Sequence, residues 1–150
     1  TAAMQRLTLC MIVKNEEAFL EGCLASVRDV VDAMVIVDTG CTDGTLAIAR
    51  KYGARIVPHA WNDDFAAARN AALEHVPGGF VLVLDADERL APGAKRALRK
   101  ALARNDLDCG LLPLHDASRL DAKLDEVLSG RARRQDPQLL PRLLRRTPDL

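Results

Sequence analysis

Three acids follow directly on a run of aliphatic residues in the stretch VLVLDADERL, residues 81–90. Asp85, Asp87 and Glu88 fall within four positions, and burying such carboxylates is costly unless they are paired or bind a metal. Carboxylate oxygens are also the ligands that Mg²⁺ and Mn²⁺ prefer. The spacing is therefore typical either of a solvated turn that caps the next helix or of a divalent-cation site that recruits phosphates.

Other polar side chains follow apolar runs in the same way. Asn15 and Glu16 come after the first run of the chain, and Asp38 ends the second. In an open parallel sheet, ligands bind beyond the carboxyl ends of the strands. We therefore expect these residues to converge with Asp85 and Asp87 on one edge of a sheet. Taken singly, Asn15 and Asp38 are explained equally well as loop caps.

Strands and helices alternate along the chain. Short apolar, β-leaning runs predict strands at 7–13, 33–40, 54–60, 80–85, 109–114 and 139–146. Helical spacing of apolar residues, with Pro, Gly and capping residues at the ends, predicts helices at 15–27, 41–52, 62–76, 93–104 and 121–130. This alternation predicts a single α/β domain with a mostly parallel sheet between helices. We expect residues 115–137, which are polar and charge-rich, to form a mobile loop with a short helical piece.

Three details of the helices are specific enough to check. Asn15 is a good N-cap for the first helix, and a Thr or Asp near residue 42 is one for the second, which we expect to stop at Gly53. The third helix is expected to start at Asn62 or Asp63, with Asp64 also in a capping role. Its buried face is predicted from the spacing of five apolar residues: Phe65, Ala68, Ala72, Leu73 and Val76.

Composition bounds the class of protein. The chain has 150 residues, of which 49% are hydrophobic, and a formal net charge of zero, which favours neither a nucleic acid nor an acidic membrane as partner. It contains no apolar run of about 18 residues, so no transmembrane segment is expected. The four cysteines form no CxxC pair, and we expect reduced thiols in a cytoplasmic protein.

Four segments in order carry a resemblance to a known family. They are MIVKNEEAFLEGCLASV, VIVDTGCTDGTLAIARKYGA, WNDDFAAARNAAL and VLVLDADERL. Together they resemble the family-2 glycosyltransferases of the GT-A fold, in particular the bacterial branch with a DTGSTDGT-like loop and a W-x-x-DFA-x-ARN segment. The resemblance is dense from Leu7 to Leu90 and loose from there to Leu150. Cys41 stands where serine is usual, at a position that caps the loop.

The resemblance implies a nucleotide-sugar donor, most often a UDP-sugar, and an inverting transfer that depends on Mn²⁺ or Mg²⁺. It implies that Ile12, Val13 and Lys14 cradle the base and that Asp38 accepts from the ring N–H. Arg69 is expected to brace Asp38 or to reach the nucleotide. Residues 85–87 match the DxD motif, in which Asp85 contacts the ribose or the metal and Asp87 ligates the metal that bridges the diphosphate. Asn15, Glu16 and Ala86 complete the expected donor site.

The acceptor side of the reaction is not encoded in these motifs. The acceptor is expected to be a sugar, a lipid or a peptide, and the general base to come from an acceptor-binding half that follows Leu150. The chain is thus expected to be part of a longer polypeptide, cytoplasmic or peripheral at the inner membrane. Glu88, next to the metal site, is the one acid within the chain that we consider as an alternative base.

Three other classes of protein compete with this interpretation. In a phosphatase of the haloacid dehalogenase type, DAD would supply nucleophile and acid, but that motif belongs on the first strand rather than the fourth. A sugar nucleotidyltransferase needs a Gly-rich Arg/Lys loop after strand one, and KNEE stands there instead. A non-catalytic nucleotide-sugar-binding module, or a donor-binding half, is the alternative that remains open.

Overall fold

The structure is a computed structural model that describes residues 5–104, 106–114, 129 and 138–147. It contains six strands and four helices within these residues. In chain order they are β1 Leu7–Val13, α1 Leu20–Val27, β2 Ala33–Asp38, α2 Thr45–Lys51, β3 Arg55–Pro58, α3 Phe65–Leu73, β4 Phe80–Val83, α4 Pro92–Leu102, β5 Cys109–Leu114 and β6 Gln138–Arg145. The expected mobile loop and the helix predicted at 121–130 lie outside the described residues, apart from Ser129.

One six-stranded sheet organises the chain, in the order β3-β2-β1-β4-β6-β5. The first four strands of this order run parallel, whereas β6 is antiparallel to both β4 and β5. This confirms the predicted α/β class. Val13 pairs with Asp38, so β1 and β2 end at the same level, while β4 ends opposite Cys10. The chain after Val83 therefore continues beside the last residues of β1.

Strict alternation along the inner strands separates two apolar layers. In β1, Leu7, Leu9, Met11 and Val13 pack in one core with α1, α2 and α4, while Cys10 faces the other way. The second core is formed with α3, through small and aliphatic residues of that helix: Ala68, Ala72 and Leu73. A strand covered on both faces reads as nearly continuous apolar sequence, as β1, β2 and β4 do. The result is a three-layer sandwich of helices, sheet and helix.

The first helix begins later than predicted, because Asn15 makes a tertiary contact instead of a cap. Asn15 has a φ of 53°, outside the helical region, and its Oδ1 accepts a hydrogen bond from the backbone N–H of Thr42 at 2.7 Å. Helix α1 starts only at Leu20, and its N-cap Phe19 makes no side-chain cap bond. The predicted N-cap role of Asn15 is therefore wrong.

Two further helix starts also differ from the prediction. The N-cap of α2 is Gly44, without a side-chain bond, although Asp43 Oδ1 does accept from the N–H of Thr45 at 2.9 Å. Helix α3 is capped by Asp64, whose side chain accepts from the N–H of Ala67. Neither Asn62 nor Asp63 starts it, since Asp63 has a φ of 61° that a right-handed helix does not admit.

The buried face of α3 differs from the prediction at Phe65. Ala68, Ala72, Leu73 and Val76 are buried as expected, but Phe65 is 65% exposed. Helix α3 packs on β1 and β2 through its small residues, and its first turn reaches past the core to the carboxyl edge of the sheet. At that position Phe65 lines a cavity instead of filling the core.

Several local predictions are confirmed. Gly53 follows the end of α2 with a φ of 72°, as a C′ glycine does, and Pro92 occupies the first turn of α4. All four cysteines are free, and burial raises the pKa of both Cys10 and Cys23 to about 12. No helix in the described ranges is long and apolar enough to cross a membrane.

The turn into β4 generates a testable prediction at Gly79. Gly79 has a φ of 77°, and a Cβ added there would overlap the backbone oxygen of Arg6, which also accepts from the N–H of Phe80. We expect Gly79→Ala to lower the free energy of unfolding by about 2 kcal/mol, because both the backbone angle and this contact oppose a side chain. Urea unfolding measures the change.

Gly78 provides the matched control. It has no positive φ, and nothing lies within 4 Å of the position that a Cβ would take there. Gly78→Ala should change the free energy of unfolding by no more than about 0.5 kcal/mol. If both substitutions changed the free energy of unfolding equally, the turn would not require glycine specifically at position 79.

Candidate functional site

The carboxyl edge of the sheet contains a cavity of about 430 Å³ between the end of β1 and the segment after β4. We call it the strand-end cavity. Its lining residues are Ile12, Val13, Lys14, Glu16, Thr39, Trp61, Phe65, Asp85, Ala86 and Asp87. Seven of the ten residues expected in the donor site line it; the exceptions are Asn15, Asp38 and Arg69. Thr39, Trp61 and Phe65 were not among the residues expected there.

Asn15 and Asp38 shape the loop beside the cavity. Asp38 Oδ1 accepts hydrogen bonds from the backbone N–H groups of Gly40, at 3.0 Å, and Cys41, at 2.8 Å. These bonds hold the pKa of Asp38 below its usual value. The bond from Cys41 has the largest effect, and the burial of Asp38 acts in the opposite direction. With the bond from Thr42 to Asn15, they give the loop after β2 a defined shape next to the end of β1.

The same loop is attached to β1 at further points. Thr39 Oγ1 donates to the carbonyl of Val13 at 2.8 Å, and Thr45 Oγ1 accepts from the N–H of Glu16 at 2.8 Å. Glu17 accepts from the N–H of Gly44. These cross-connections explain why the DTGCTDGT segment is so rich in Asp and Thr: their short side chains satisfy backbone groups of a loop that has no ladder partner.

The turn after β4 presents two carboxylates outward and one inward. The N–H of Glu88 donates to the carbonyl of Asp85, and Glu88 Oε1 accepts from the N–H of Asp85 at 2.7 Å. Asp85 and Asp87 are exposed, whereas Ala86 between them is buried. The turn thereby directs Asp85 and Asp87 to the strand-end cavity and keeps Glu88 in the protein.

Arg142 is the positive group that this acidic turn requires. Its Nη2 lies 2.9 Å from Glu88 Oε2 and 3.8 Å from Asp85 Oδ2, and its side chain is only 18% exposed. Arg142 stands on β6 at the β-bulge of the β5–β6 pairing, where the register shifts between Gly110 and Leu111. It was not among the expected site residues, because nothing local in PRLLRR distinguishes this arginine from its neighbours.

Both oxygens of Glu88 are engaged, one by the N–H of Asp85 and the other by Arg142. Burial raises the pKa of Glu88, although the charge of Arg142 acts in the opposite direction. Its side chain is 11% exposed. This geometry gives Glu88 a structural role in the turn.

The negatively charged side chains at the cavity repel one another. The pKa of Glu16 is raised, first by burial and then by the negative charges of Asp87, Asp85 and Asp43. Such a cluster favours a cation between its members. In the described part of the chain no three His, Cys, Asp or Glu side chains are grouped as a complete metal site. Two carboxylates nevertheless fit Mg²⁺ or Mn²⁺, which commonly take one or two from the protein and the rest from water and phosphate.

Arg69 lies in a second cavity, of about 530 Å³, on the sheet face beside α3. Phe65, Asp85 and Arg142 also line this sheet-face cavity, which adjoins the first. Among the described residues Arg69 makes no ion pair with Asp38, so the structure does not show the predicted brace.

The Arg142–Glu88 pair leads to a stability prediction. Arg142→Met should lower the free energy of unfolding by about 2–3 kcal/mol, because it leaves the carboxylate of Glu88 buried without its counter-charge. Adding Glu88→Gln should recover part of this loss, since the amide oxygen still accepts from Asp85. Chemical denaturation of the three proteins measures both effects.

Arg104 serves as control for this experiment. It also forms an ion pair, with Asp106 at 3.0 Å, but the two side chains are 57% and 74% exposed. Arg104→Met should therefore change the free energy of unfolding by less than about 1 kcal/mol. If Arg142→Met were equally mild, the Arg142–Glu88 pair would not hold the turn.

Comparison with known proteins identifies the family. The family model for glycosyl transferase family 2 matches residues 8–146. A TPR repeat-containing protein of Synechococcus elongatus is 45% identical over 129 residues, 79% of this chain and 32% of its own. The lipopolysaccharide core biosynthesis glycosyltransferase LpsC of Rhizobium meliloti is 34% identical over 105 residues, 67% of this chain and 38% of its own. The chain thus spans about a third of the length of these curated relatives.

Solved structures share the fold. The mannosyltransferase PcManGT of Pyrobaculum calidifontis, solved with GDP-Man and Mn²⁺, superposes with a TM-score of 0.60 at 24% identity, over 79% of this chain and 37% of its own. Glucosyl-3-phosphoglycerate synthase of Mycobacterium tuberculosis, solved with UDP, superposes with a TM-score of 0.50 at 25% identity, over 56% and 34%. The family match over residues 8–146 shows that this chain belongs to glycosyl transferase family 2, and these solved structures share its fold.

Proposed function

We propose that the protein binds a nucleotide-sugar donor, preferentially a UDP-sugar, in the strand-end cavity and takes part in metal-dependent, inverting transfer of its sugar to an acceptor hydroxyl. One observation carries this proposal. The cavity joins Ile12, Val13 and Lys14 at the end of β1 to Asp85 and Asp87 after β4. An apolar strand end beside paired carboxylates suits a ligand with a ring at one end and a diphosphate at the other.

The base of the nucleotide belongs, in this proposal, at the β1–β2 side. Ile12, Val13 and Lys14 form its cradle, and Asp38 accepts from the ring N–H. Asp38 Oδ1 accepts from the N–H groups of Gly40 and Cys41 in the loop, and Oδ2 is the oxygen that would accept from the base. The lowered pKa of Asp38 keeps this oxygen an acceptor at neutral pH. Asn15 contributes indirectly, since it fixes the loop at Thr42.

The diphosphate belongs at the β4 side. Asp85 and Asp87 would hold Mn²⁺ or Mg²⁺ there, with the buried Ala86 anchoring the turn between them. A divalent ion in this place supplies Lewis-acid stabilisation of the charge that develops on the leaving diphosphate. Two neighbours agree with this choice of ligand, since glucosyl-3-phosphoglycerate synthase was solved with UDP and PcManGT with GDP-Man and Mn²⁺. Arg69, at the adjoining cavity, would reach the nucleotide.

The second candidate function is a donor-binding module that does not catalyse transfer. It is favoured by the state of Glu88, whose two oxygens are engaged by Asp85 and Arg142. In the first candidate the general base and the acceptor site belong to the remainder of a longer protein. The two candidates differ in one measurement on the longer protein: donor turnover, by hydrolysis or transfer, occurs with the first and is absent with the second, while both bind UDP.

Donor binding can be tested by thermal unfolding. We expect UDP at about 100 times its Kd to stabilise the protein by about 2.7 kcal/mol, and the effect to grow when Mn²⁺ or Mg²⁺ is added. Adenosine diphosphate with the same metal is the control, because adenine, unlike uracil, thymine and guanine, has no ring N–H that Asp38 could accept from. An unchanged Tm with UDP, GDP and dTDP in the presence of Mn²⁺ would rule out the donor site.

Asp87→Asn tests the metal separately from the base. Asp87 is exposed and makes no ion pair among the described residues, so the substitution should leave the Tm without ligand unchanged or slightly higher, as one repulsive charge is removed. The UDP affinity without metal should stay the same, and the gain from Mn²⁺ should be lost. Calorimetric titration of both proteins with UDP, with and without Mn²⁺, measures this.

Asp43→Asn is the control, since Asp43 is an acid of the neighbouring loop that does not line the cavity. It should keep the Mn²⁺ response. A destabilised Asp87→Asn protein that still gains UDP affinity with Mn²⁺ would mean that Asp87 is only a turn residue.

A further inference from the structure

Two aromatic side chains stand exposed at the strand-end cavity. Trp61 and Phe65 are 36% and 65% exposed, and their ring centroids lie 4.7 Å apart with an angle of 70° between the planes. The whole chain has only one Trp, one Tyr and three Phe. Phe19 is exposed as well, at 38%, so exposure alone does not indicate a ligand. Trp61 and Phe65 differ from Phe19 because they contact each other and line the same cavity, where one bound ligand would cover both. We name Trp61 and Phe65 the aromatic corner.

The aromatic corner is held in place by its own loop. Trp61 Nε1 donates to Asp63 Oδ1 at 2.9 Å, and Asp63 adopts a φ of 61° to offer that oxygen. Asp64 then caps α3 through the N–H of Ala67, which fixes the first turn that carries Phe65. The two rings are therefore oriented before any ligand arrives, and little entropy is lost when one binds.

The surroundings of the aromatic corner are carboxylates. Glu16, Asp85 and Asp87 line the same cavity. When Asp85 and Asp87 are assigned to a metal, Glu16 remains as an acceptor for hydroxyl groups. A pyranose ring combines the two features that this wall would contact: a face of C–H groups, which packs on an aromatic ring, and a rim of hydroxyl donors.

The shape of the aromatic corner favours a sugar over a nucleobase. A flat base stacks best on a parallel ring face or between two of them, whereas these two rings pack edge to face at 70° and leave no slot between parallel faces. A puckered pyranose chair can pack its C–H face on one ring and its rim against the other. We propose that Trp61 and Phe65 form the subsite for the sugar ring of the nucleotide sugar; this rests on the donor site proposed above.

The experiment compares each nucleotide sugar with its own nucleoside diphosphate. The Kd values of UDP, UDP-glucose, UDP-galactose, UDP-N-acetylglucosamine, GDP and GDP-mannose are measured by calorimetry in the presence of Mn²⁺. We expect at least one nucleotide sugar to bind the wild-type protein more tightly than its diphosphate. Trp61→Ala and Phe65→Ala should each weaken that nucleotide sugar by roughly fivefold to tenfold and change the diphosphate by less than about twofold.

Two sets of variants control for folding and for general loss of an aromatic ring. Phe19 is 38% exposed but does not line the cavity, so Phe19→Ala should leave every Kd unchanged. Asp63→Gly keeps the positive φ but removes the acceptor for Trp61, and should weaken the nucleotide sugar selectively. Asp63→Asn, which tolerates the same φ and retains an acceptor oxygen, should restore binding.

The outcomes separate this inference from the proposed function. If the wild-type protein bound none of the six ligands, the proposed function itself would fail. If it bound them but the Trp61 and Phe65 variants lost diphosphate and nucleotide sugar alike, the aromatic corner would contact the base and the sugar assignment would be overturned. Unchanged Kd values in both variants, or no nucleotide sugar tighter than its diphosphate, would overturn it as well.

Discussion

Arg142 places a guanidinium against Glu88 and Asp85 at the point where β4 leaves the sheet. This contact resolves the charge problem of the DADE turn. Because Arg142 pairs with the charge of Glu88 inside the protein, the turn can present Asp85 and Asp87 outward without burying three like charges together. The direction of both outer carboxylates, and hence the composition of the strand-end cavity, depends on that one pair.

The pair also connects two parts of the sheet that differ in direction. Strands β1 to β4 form the parallel half, and β6 returns antiparallel beside β4. In the β4–β6 pairing Leu82 stands opposite Leu143, so Arg142, the residue before Leu143, lies beside the end of β4. A side chain from the antiparallel half thereby reaches the carboxyl edge of the parallel half. A ligand at this edge would thus contact groups whose positions are set by both halves.

On the other side of the cavity, hydrogen bonds rather than an ion pair hold the loop in place. Asn15, Asp38 and Thr39 fix the loop after β2 to the end of β1 through backbone groups that would otherwise lack partners. The loop is therefore rigid next to the proposed base cradle, as the aromatic corner is next to the proposed sugar subsite. A site preorganised on three sides suits recognition of a polar ligand, because few groups have to be ordered when it binds.

Local patterns in the amino-acid sequence predict the strands, their two apolar faces and the acids at their ends. Alternation and burial act on neighbouring residues, so β1, the inner faces of β2 and β4, and the positions of Asp38, Asp85 and Asp87 follow from local pattern. The four motifs in order also sufficed for the family resemblance. Gly53 and Pro92 were predictable for the same reason, since the backbone angle that each requires or imposes is a property of the residue itself.

The pairing of polar groups, in contrast, depends on how distant elements pack together. Arg142 meets Glu88 across 54 positions of sequence, and Asn15 meets Thr42 across 27, so no local pattern marks either contact. Phe65 follows the helical spacing of a core residue, yet lies exposed because α3 extends past the edge of the sheet. Side-chain pairing and exposure at the rim depend on where distant elements end in space, and periodicity along the chain carries no information on that.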